Sequence, residues 1–295
     1  MSAVARTSVV IATRDRREEL LRTLRHLEGL EPRPPVIVVD NASTDGTPDA
    51  VAEQHPAVTL VRSDRNLGAV ARNVGLLRAI TPYVAFSDDD SWWDPGALPR
   101  AEEVFDEHPG IGLIAARTLV GDAGAADPVN DLMRSSPLPD GDGLPGPRIL
   151  GFTACAAVVR RSAFREARGF SKVLFFVAEE KLLAYDLAAH GWDLVYVDDV
   201  VAHHHPSSRR GGDRWRLSQE QRNTVLLSWM RRPVGIALRD SARLAGAAVR
   251  TGPARRAALG ALRRLPSALA HRHRLPAGVE HEVEVLESEH GSPAT

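Results

Sequence analysis

Apolar residues in the first 120 positions follow two spacings that alternate along the chain. Continuous apolar runs at residues 8–12, 36–39 and 58–61 have the length and composition of buried strands. Between the first two runs, leucines recur at the spacing of a single helix face; they are Leu20, Leu21, Leu24, Leu27 and Leu30. This alternation predicts βαβ units that build a parallel sheet.

Further elements are predicted as far as residue 197, with one interruption. We expect helices over residues 69–80 and 179–190, and strands over residues 83–86, 111–116, 153–159 and 194–197. Residues 121–148 are rich in glycine, proline and aspartate, which predicts a long loop or lid with little regular structure.

The composition changes near residue 230. Residues 231–274 consist largely of arginine, alanine and leucine and contain a single acidic residue, Asp240. This predicts a basic helical appendage, which is either a solvated helix pair packed on the rest of the protein or an arginine-rich face on anionic lipid headgroups. Residues 279–295 are acidic and polar, and we expect a disordered tail there.

Bulk composition excludes several classes of protein. With 295 residues and a net charge of -1, the chain can bury a sizeable core and is not an overall basic nucleic-acid binder. No signal-peptide pattern is present, and no window approaches the roughly 18 apolar residues of a membrane span. The single cysteine, Cys155, excludes an internal disulfide. We therefore expect a cytoplasmic protein, with any membrane contact peripheral and at the inner face of the plasma membrane.

Polar side chains follow three of the predicted strands. Thr13 and Arg14 come after the first strand, Asp40 and Asn41 after the second, and residues 88–90 after the strand at 83–86. Ligands of open parallel sheets bind beyond the carboxyl ends of the strands. These side chains are therefore predicted to converge on one edge of the sheet as a binding site.

The aspartate run at this edge has the chemistry of a metal site. In an extended backbone, Asp88 and Asp90 point to the same side while Asp89 points away. Carboxylate oxygens suit Mg²⁺ or Mn²⁺, and a cation offsets the repulsion among adjacent acids. The alternative is a solvated acidic turn without a metal.

Several well-defined motifs are absent from the sequence. There is neither a G-x-G-x-x-G after the first strand nor a G-x-x-x-x-G-K-[ST], so a dinucleotide oxidoreductase or a P-loop nucleotidase is not supported. The H-E-x-x-H spacing and cysteine partners of a zinc enzyme are also missing.

Six segments in order resemble the glycosyltransferases of family 2. They are SVVIATRDR, VIVVDNASTDGT, NLGAVARNVGL, AFSDDDSWWDP, GFTACAAVVRR and AEEKLLAYDLAAHGWDLVYVDDVVAHHH, and the resemblance spans roughly residues 8–208. The resemblance implies an α/β protein with the GT-A fold, a Rossmann-like and mostly parallel sheet flanked by helices, here with a C-terminal helical appendage.

The resemblance implies roles for residues on the nucleotide side. Thr13, Asp40 and Arg72 would lie near the nucleobase and ribose, and Asp88 near the ribose and the metal. Asp90 would be the main metal ligand. The other predicted nucleotide-sugar contacts are Arg14, Asn41, Asn66 and Asp89.

Two further groups are implied on the acceptor side. The family usually has Glu-Asp at the start of one helix, with the aspartate as general base; here the pair is Glu179 and Glu180, so Glu180 would be the base. The alternative for this pair is acidic residues that complement a helix N-terminus. Among the three consecutive histidines, His204 is the favoured metal ligand and His203 the second choice, with structural histidines as the alternative.

The implied protein is an inverting, metal-dependent glycosyltransferase. Its donor would be a UDP-sugar or dTDP-sugar, and its acceptor a hydroxyl on a glycan, a lipid-linked glycan or a small molecule in bacterial glycoconjugate synthesis. Residues 1–120 would form the nucleotide-sugar-binding half, residues 121–228 the acceptor-binding and catalytic half, residues 229–278 the basic appendage and residues 279–295 the tail. The alternatives are a binding module that has lost turnover and a nucleotidyltransferase on a related sheet.

Overall fold

A computed structural model describes residues 4–139, 141, 143–207 and 213–289, and in this part of the chain nine strands form one sheet. The strands are β1 (Thr7–Thr13), β2 (Val36–Asp40), β3 (Thr59–Arg62), β4 (Tyr83–Ser87), β5 (Ser91–Trp93), β6 (Ile111–Val120), β7 (Ala125–Ala126), β8 (Ala157–Arg160) and β9 (Asp193–His204). The helices are α1 (Arg17–Glu28), α2 (Thr47–Gln54), α3 (Ala71–Arg78), α4 (Ala97–Glu107), α5 (Pro128–Arg134), α6 (Arg161–Glu166), α7 (Glu179–Ala189), α8 (Asp213–Arg231), α9 (Val234–Arg250), α10 (Gly252–Ala270) and α11 (Ala277–Glu289). Short 3₁₀ turns lie at Gly68–Val70 and Ala154–Ala156.

The sheet is parallel from β1 to β4, as the alternation of strands and helices predicts, and mixed beyond β4. Its order is β3-β2-β1-β4-β8-β6-β9-β5, and β7 pairs with β6 outside this path. Strands β1 to β4 pair in parallel, as do β6 and β9, whereas β8 lies antiparallel between β4 and β6. The register aligns Thr13 with Asp40, which places the ends of β1 and β2 side by side at one edge.

Two apolar layers cover the two faces of the sheet. Successive residues of β1 alternate between them, with Val9 on one side and Val10 on the other. The leucine stripe of α1 packs on the first layer, where Leu20 and Leu24 are fully buried, which confirms the predicted helix face. Helices α3, α6 and α7 pack on the second layer.

The segment between β6 and β8 is more regular than its composition predicts. Asp127 caps α5 by accepting a hydrogen bond from the backbone N–H of Val129. The buried side chain of Asn130 pairs with both backbone groups of Thr118 on β6, at 2.9 and 2.8 Å. The expectation of a loop with little regular structure is therefore wrong for residues 128–134, because tertiary hydrogen bonds stabilise a short helix there.

Strand β9, towards the other end of the sheet, is longer than predicted. Strand β9 runs on to His204 because its last residues pair with β5, with Ser91 opposite His204 and Trp92 opposite His203. The predicted strand at 153–159 is a 3₁₀ turn followed by β8. His203 and His204 therefore lie on β9, and His205 follows it.

The C-terminal helices pack against one another and against α7. Buried residues from α8, α10 and α11 share one apolar cluster with Tyr185 of α7. The expectation of disorder from residue 279 onward is wrong for α11, since Val283 is buried and Glu280 and Glu287 pair with the buried Arg232. Residues 290–295 lie outside the described residues. Within the described ranges, no helix combines the length and hydropathy needed to span a bilayer.

Candidate active site

Buried polar groups lie where β1 and β2 end. Thr13, Asp40 and Asn41 are all nearly inaccessible to solvent. The Oδ2 atom of Asp40 accepts a hydrogen bond from the backbone N–H of Ser43 at 3.2 Å, whereas its buried Oδ1 has no hydrogen-bond partner among the described residues. An unpaired buried acceptor is costly, so this atom is suited to receive a donor group from a ligand.

The two predicted asparagines shape the turn before α3. The side chain of Asn41 accepts from the N–H of Leu67 at 3.1 Å and donates to the carbonyl of Gly68 at 3.4 Å. Asn66 is exposed and accepts from the N–H of Gly68 at 2.9 Å. Arg14 is also exposed at this edge, and its Nε atom lies 3.5 Å from Oδ2 of Asp15. Both asparagines therefore hold the backbone that leads to Arg72.

The three aspartates after β4 face three different partners. Asp88 accepts a hydrogen bond from Arg72. Asp89 accepts one from the hydroxyl of Thr13 at 3.0 Å. Asp90 is buried, and its Oδ2 accepts from the N–H of Ser207 at 3.0 Å. Asp88 thus faces a guanidinium group where a cation shared with Asp90 was expected.

The environment of Asp89 disfavours its charge. Burial, followed by the negative charges of Asp88 and Asp90, raises the pKa of Asp89 to about 8. The hydroxyl of Thr13 partly offsets this rise. An added cation at this edge of the sheet would favour ionisation of the whole aspartate run.

Arg72 lies among acidic side chains from both sides of the site. Its own side chain is buried, and its guanidinium lies 5.6 Å from the ring centre of Phe170. Burial lowers the pKa of Arg72, but the carboxylates of Asp88, Glu179 and Glu180 outweigh it and raise the pKa. The Nε atom has no hydrogen-bond partner among the described residues, which leaves a buried donor available to an anionic ligand.

Glu179 and Glu180 begin α7 and interact with each other. Burial, followed by the charge of Glu180, raises the pKa of Glu179 to about 8. Burial also raises the pKa of Glu180, and a hydrogen bond from Glu179 partly counteracts this. Burial therefore favours the protonated form of both carboxyl groups, and the two groups titrate as a coupled pair.

A cavity of about 680 Å³ opens beside Glu180. Its apolar wall comes from α5, from residues 149–152 and from Val283 and Leu286 of α11, and its polar wall includes Arg239 and Arg243 of α9. Residues 129–136, which belong to the segment predicted as a long loop or lid, contribute to this lining. The contributions of α9 and α11 are not evident from the sequence.

The two candidate metal histidines separate onto opposite faces of β9. The Nε2 atom of His204 lies 3.5 Å from Oδ1 of Asp90. The Nε2 atom of His203 lies 2.8 Å from Asp94, and its ring stacks on Trp92 at 5.7 Å between ring centres. This arrangement counts against His203 as a metal ligand and favours His204.

A carboxylate and an imidazole at this separation fit Mg²⁺ or Mn²⁺ as a partial ligand set. In the described part of the chain, no group of three or more histidine, cysteine or acidic side chains is arranged to hold a metal. Asp90 and His204 would therefore need oxygen ligands from a bound diphosphate to complete the coordination.

Comparison with known proteins gives the family. The sequence model described as Glycosyl transferase family 2 matches residues 8–168, which is more than half of the chain. The chain belongs to glycosyltransferase family 2. The match includes β1 to β4, the aspartate run and the buried Arg72, and the family's GT-A fold agrees with the observed sheet.

One sequence relative and two solved structures are similar to this family 2 glycosyltransferase over most of its length. An N-acetylglucosaminyl-diphospho-decaprenol L-rhamnosyltransferase from Mycobacterium tuberculosis is 27% identical, over 79% of this chain and 89% of that protein. A mannosyltransferase from Pyrobaculum calidifontis, solved with GDP-Man and Mn²⁺, has a TM-score of 0.60 at 21% identity and covers 99% of this chain and 77% of its own. S. aureus TarS 1–349, solved with UDP-GlcNAc, has a TM-score of 0.58 at 20% identity and covers 75% of this chain and 66% of its own.

Proposed function

We propose that this glycosyltransferase is an inverting, metal-dependent enzyme that moves a sugar from UDP or dTDP to an acceptor hydroxyl. The observation that supports this best is the position of Glu180 between two surfaces. Its carboxylate interacts with Arg72 and Asp88 on the nucleotide side, and the same residue lines the 680 Å³ cavity. A sugar held by the first surface and a hydroxyl held by the second would meet beside this carboxylate.

The residues present can perform each step of such a transfer. Glu180 takes the proton of the acceptor hydroxyl while the oxygen attacks the anomeric carbon, an effect of roughly 10²- to 10⁴-fold for general bases. Arg72 stabilises the negative charge of the departing diphosphate. A bound Mg²⁺ or Mn²⁺, held by Asp90 and His204, would supply further charge neutralisation for that leaving group. Attack opposite the leaving group inverts the anomeric configuration.

We further propose a lipid-linked glycan as the acceptor, taken up at the cytoplasmic membrane surface. The rhamnosyltransferase relative is named for an acceptor with a diphospho-decaprenol group. Helix α10 exposes Leu259, Leu262 and Leu269 on one face, and Arg255 and Arg263 are exposed on the same helix. An apolar stripe flanked by arginine suits the headgroup region of an anionic membrane.

The transfer reaction is tested with the full-length protein and a panel of sugar nucleotides. A thermal-shift screen with and without Mn²⁺ identifies the donor, because ligands that bind the native state raise its Tm. Glu180→Gln and Asp90→Asn proteins are then assayed for transfer with that donor. Turnover near the wild-type rate in both variants would exclude the mechanism.

A separate measurement distinguishes the enzyme from a pure nucleotide-binding module. Calorimetry with UDP and Mn²⁺ reports binding, and release of free nucleotide from the sugar donor reports turnover. The enzyme is expected to give both signals, whereas heat of binding without nucleotide release would identify the module.

A further inference from the structure

The backbone just before α7 adopts a conformation that side-chain-bearing residues rarely take. Phe175, Val177 and Ala178 have φ angles of 69°, 72° and 63°. Positive φ is most unfavourable for a β-branched residue such as Val177. Residues of this kind persist where the surrounding structure holds them. Because Glu179 and Glu180 follow directly, whatever holds this segment also determines where their carboxylates lie.

Asn223 of α8 makes the hydrogen bonds that hold the segment. Its side chain is fully buried. The Nδ2 group donates to the carbonyl oxygens of Leu174, Phe176 and Val177 at 3.0, 2.8 and 2.6 Å. The two N–H groups of one amide thus lie within hydrogen-bond distance of three carbonyl oxygens, so at least one N–H is shared between two of them.

Two arginines of the C-terminal helices complete this contact. Arg222 donates from Nε to the Oδ1 of Asn223 at 2.8 Å, which orients the amide, and from Nη2 to the carbonyl of Leu174 at 2.9 Å. Arg264 of α10 donates to the carbonyl of Val173 at 2.6 Å. The segment is thus held from α8 and α10 along its length.

The opposite side of the segment contacts the nucleotide half of the site. The carbonyl of Phe175 accepts a hydrogen bond from the N–H of Ala69 at 2.8 Å. A Cβ atom on Gly68 would lie only 2.3 Å from that carbonyl, so the two backbones meet where only glycine fits. Helix α3, which carries Arg72, begins immediately after this contact.

We propose that Asn223 is a positioning residue for the catalytic carboxylates, and that the C-terminal helices therefore belong to the transfer machinery. By holding the carbonyls of residues 174, 176 and 177, Asn223 fixes the start of α7 and the direction in which Glu180 faces the acceptor. This inference rests on the proposed role of Glu180 as general base. A catalytic group displaced by about 1 Å can lose about 10²-fold in rate.

The experiment compares Asn223→Asp and Asn223→Ala with the wild-type protein. The first substitution keeps the shape of the side chain but removes its N–H groups, and the second removes the amide altogether, so both variants lose all three bonds. We expect kcat to fall about 10- to 100-fold in both. The dissociation constant of UDP with Mn²⁺ should stay within about threefold, because the nucleotide contacts are unchanged. Backbone amide exchange over residues 174–181 should become faster.

Two additional variants separate positioning from general packing. Ser241→Ala removes the hydrogen bond from Trp229 that joins α8 to α9 but touches neither the segment nor the cavity, and its kcat should equal that of the wild type. Arg222→Lys leaves Asn223 in place but removes the donor that orients it, and we expect a smaller loss of kcat with the same unchanged nucleotide affinity. If the Asn223 variants do not fold, Arg222→Lys still tests whether the orientation of Asn223 affects kcat.

Three results would overturn the positioning role of Asn223. A kcat within threefold of the wild type in Asn223→Asp would overturn it, as would an equal loss in Ser241→Ala. If the wild-type protein transfers no sugar from any donor, the proposed function fails on its own. Unchanged amide exchange over residues 174–181 in the Asn223 variants would then overturn the positioning role independently.

Discussion

The buried guanidinium of Arg72 donates a hydrogen bond to the carboxylate of Asp88, which joins helix α3 to the aspartate run after β4. Arg72 also interacts with the charges of Glu179 and Glu180. This cation thus lies between the acids of the nucleotide side and those of the acceptor side. Its removal would affect both donor binding and the balance of charge in the site.

Replacement of Arg72 by methionine should weaken donor binding. A hydrogen bond to a charged group contributes about 1.5–3 kcal/mol, so we expect the dissociation constant of the sugar nucleotide to rise about 10- to 100-fold. The Tm should also fall, because Asp88, Glu179 and Glu180 lose their compensating charge. Calorimetry and thermal melting measure the two effects. Arg100→Met, which removes an exposed pair with Asp199, is the control, and an equal loss of donor affinity there would contradict the prediction.

The two glutamates at the start of α7 should respond differently to the same substitution. Because the pKa of Glu179 is raised to about 8, this residue is neutral at pH 7, and the amide in Glu179→Gln can replace its hydrogen bond to Glu180. We expect kcat within about threefold of the wild type for Glu179→Gln and a loss of about 10²- to 10⁴-fold for Glu180→Gln. Steady-state transfer assays at pH 7 measure both. Equal losses would show that the proton does not reside on Glu179.

Asp89 should make the stability of the unliganded protein depend on pH. Its folded-state pKa, about 8, exceeds the ordinary value of 3.8, so its contribution is fully present below pH 3.8 and is lost as the pH rises through 8. Asp89→Asn removes this dependence while its side-chain oxygen can still accept from Thr13. As the pH rises from 5 to 8.5, the Tm of the wild type should therefore fall relative to the Tm of Asp89→Asn.

Asp106 provides a control, because its pKa is shifted in the opposite direction to that of Asp89. Arg6 and Tyr83 donate hydrogen bonds to this carboxylate and lower its pKa to about 2, so its contribution is present above pH 3.8 and lost as the pH falls through 2. Asp106→Asn should lower the Tm at pH 7. A constant Tm difference between Asp89→Asn and the wild type from pH 5 to pH 8.5 would refute the assignment for Asp89.

Metal affinity should depend on Asp90 and His204 but not on His203. We expect Asp90→Asn and His204→Ala to weaken Mn²⁺ binding in the presence of UDP by at least about tenfold, since even outer-shell groups alter metal affinity by about 10- to 100-fold. His203→Gln should bind as the wild type does, because His203 contacts Asp94 and Trp92. Titration of Mn²⁺ followed by electron paramagnetic resonance measures the affinity. Weaker binding in His203→Gln alone would reverse the ligand assignment.

The exposed face of α10 should mediate salt-dependent binding to anionic vesicles. Leu259→Glu with Leu262→Glu replaces two exposed apolar residues with acids, and we expect most of the vesicle-bound fraction to be lost at low salt. Leu77→Glu alters an exposed leucine on α3 and is the matched control. Co-sedimentation with phosphatidylserine vesicles measures the fraction. Failure of the wild-type protein to co-sediment at low salt would remove the membrane proposal.

Strands β1 to β4, the leucine face of α1 and the order of the motifs were predictable from the sequence because their signals are local. A run of apolar residues such as 36–39 identifies a buried strand, and turn-forming residues locate its end. Asp40 and residues 88–90 follow strands whose carboxyl ends meet at one edge, so their convergence follows from the topology of parallel sheets. The predicted helix beginning at Glu179 is likewise confirmed.

Contacts between distant segments were decided only by the tertiary structure. The pairing of β5 with β9 separates His203 from His204, and no pattern within the histidine run distinguishes them. Helix α11 forms in an acidic segment because its glutamates pair with Arg232, which lies 48 and 55 residues earlier. Asn223 reaches carbonyls 46 to 49 residues away, and an amide that hydrogen-bonds to backbone groups requires no particular sequence at its partners. The sequence alone therefore determined the elements and the chemistry of the sheet edge, whereas the positions of the Glu179 and Glu180 carboxylates depend on packing that only the folded chain brings together.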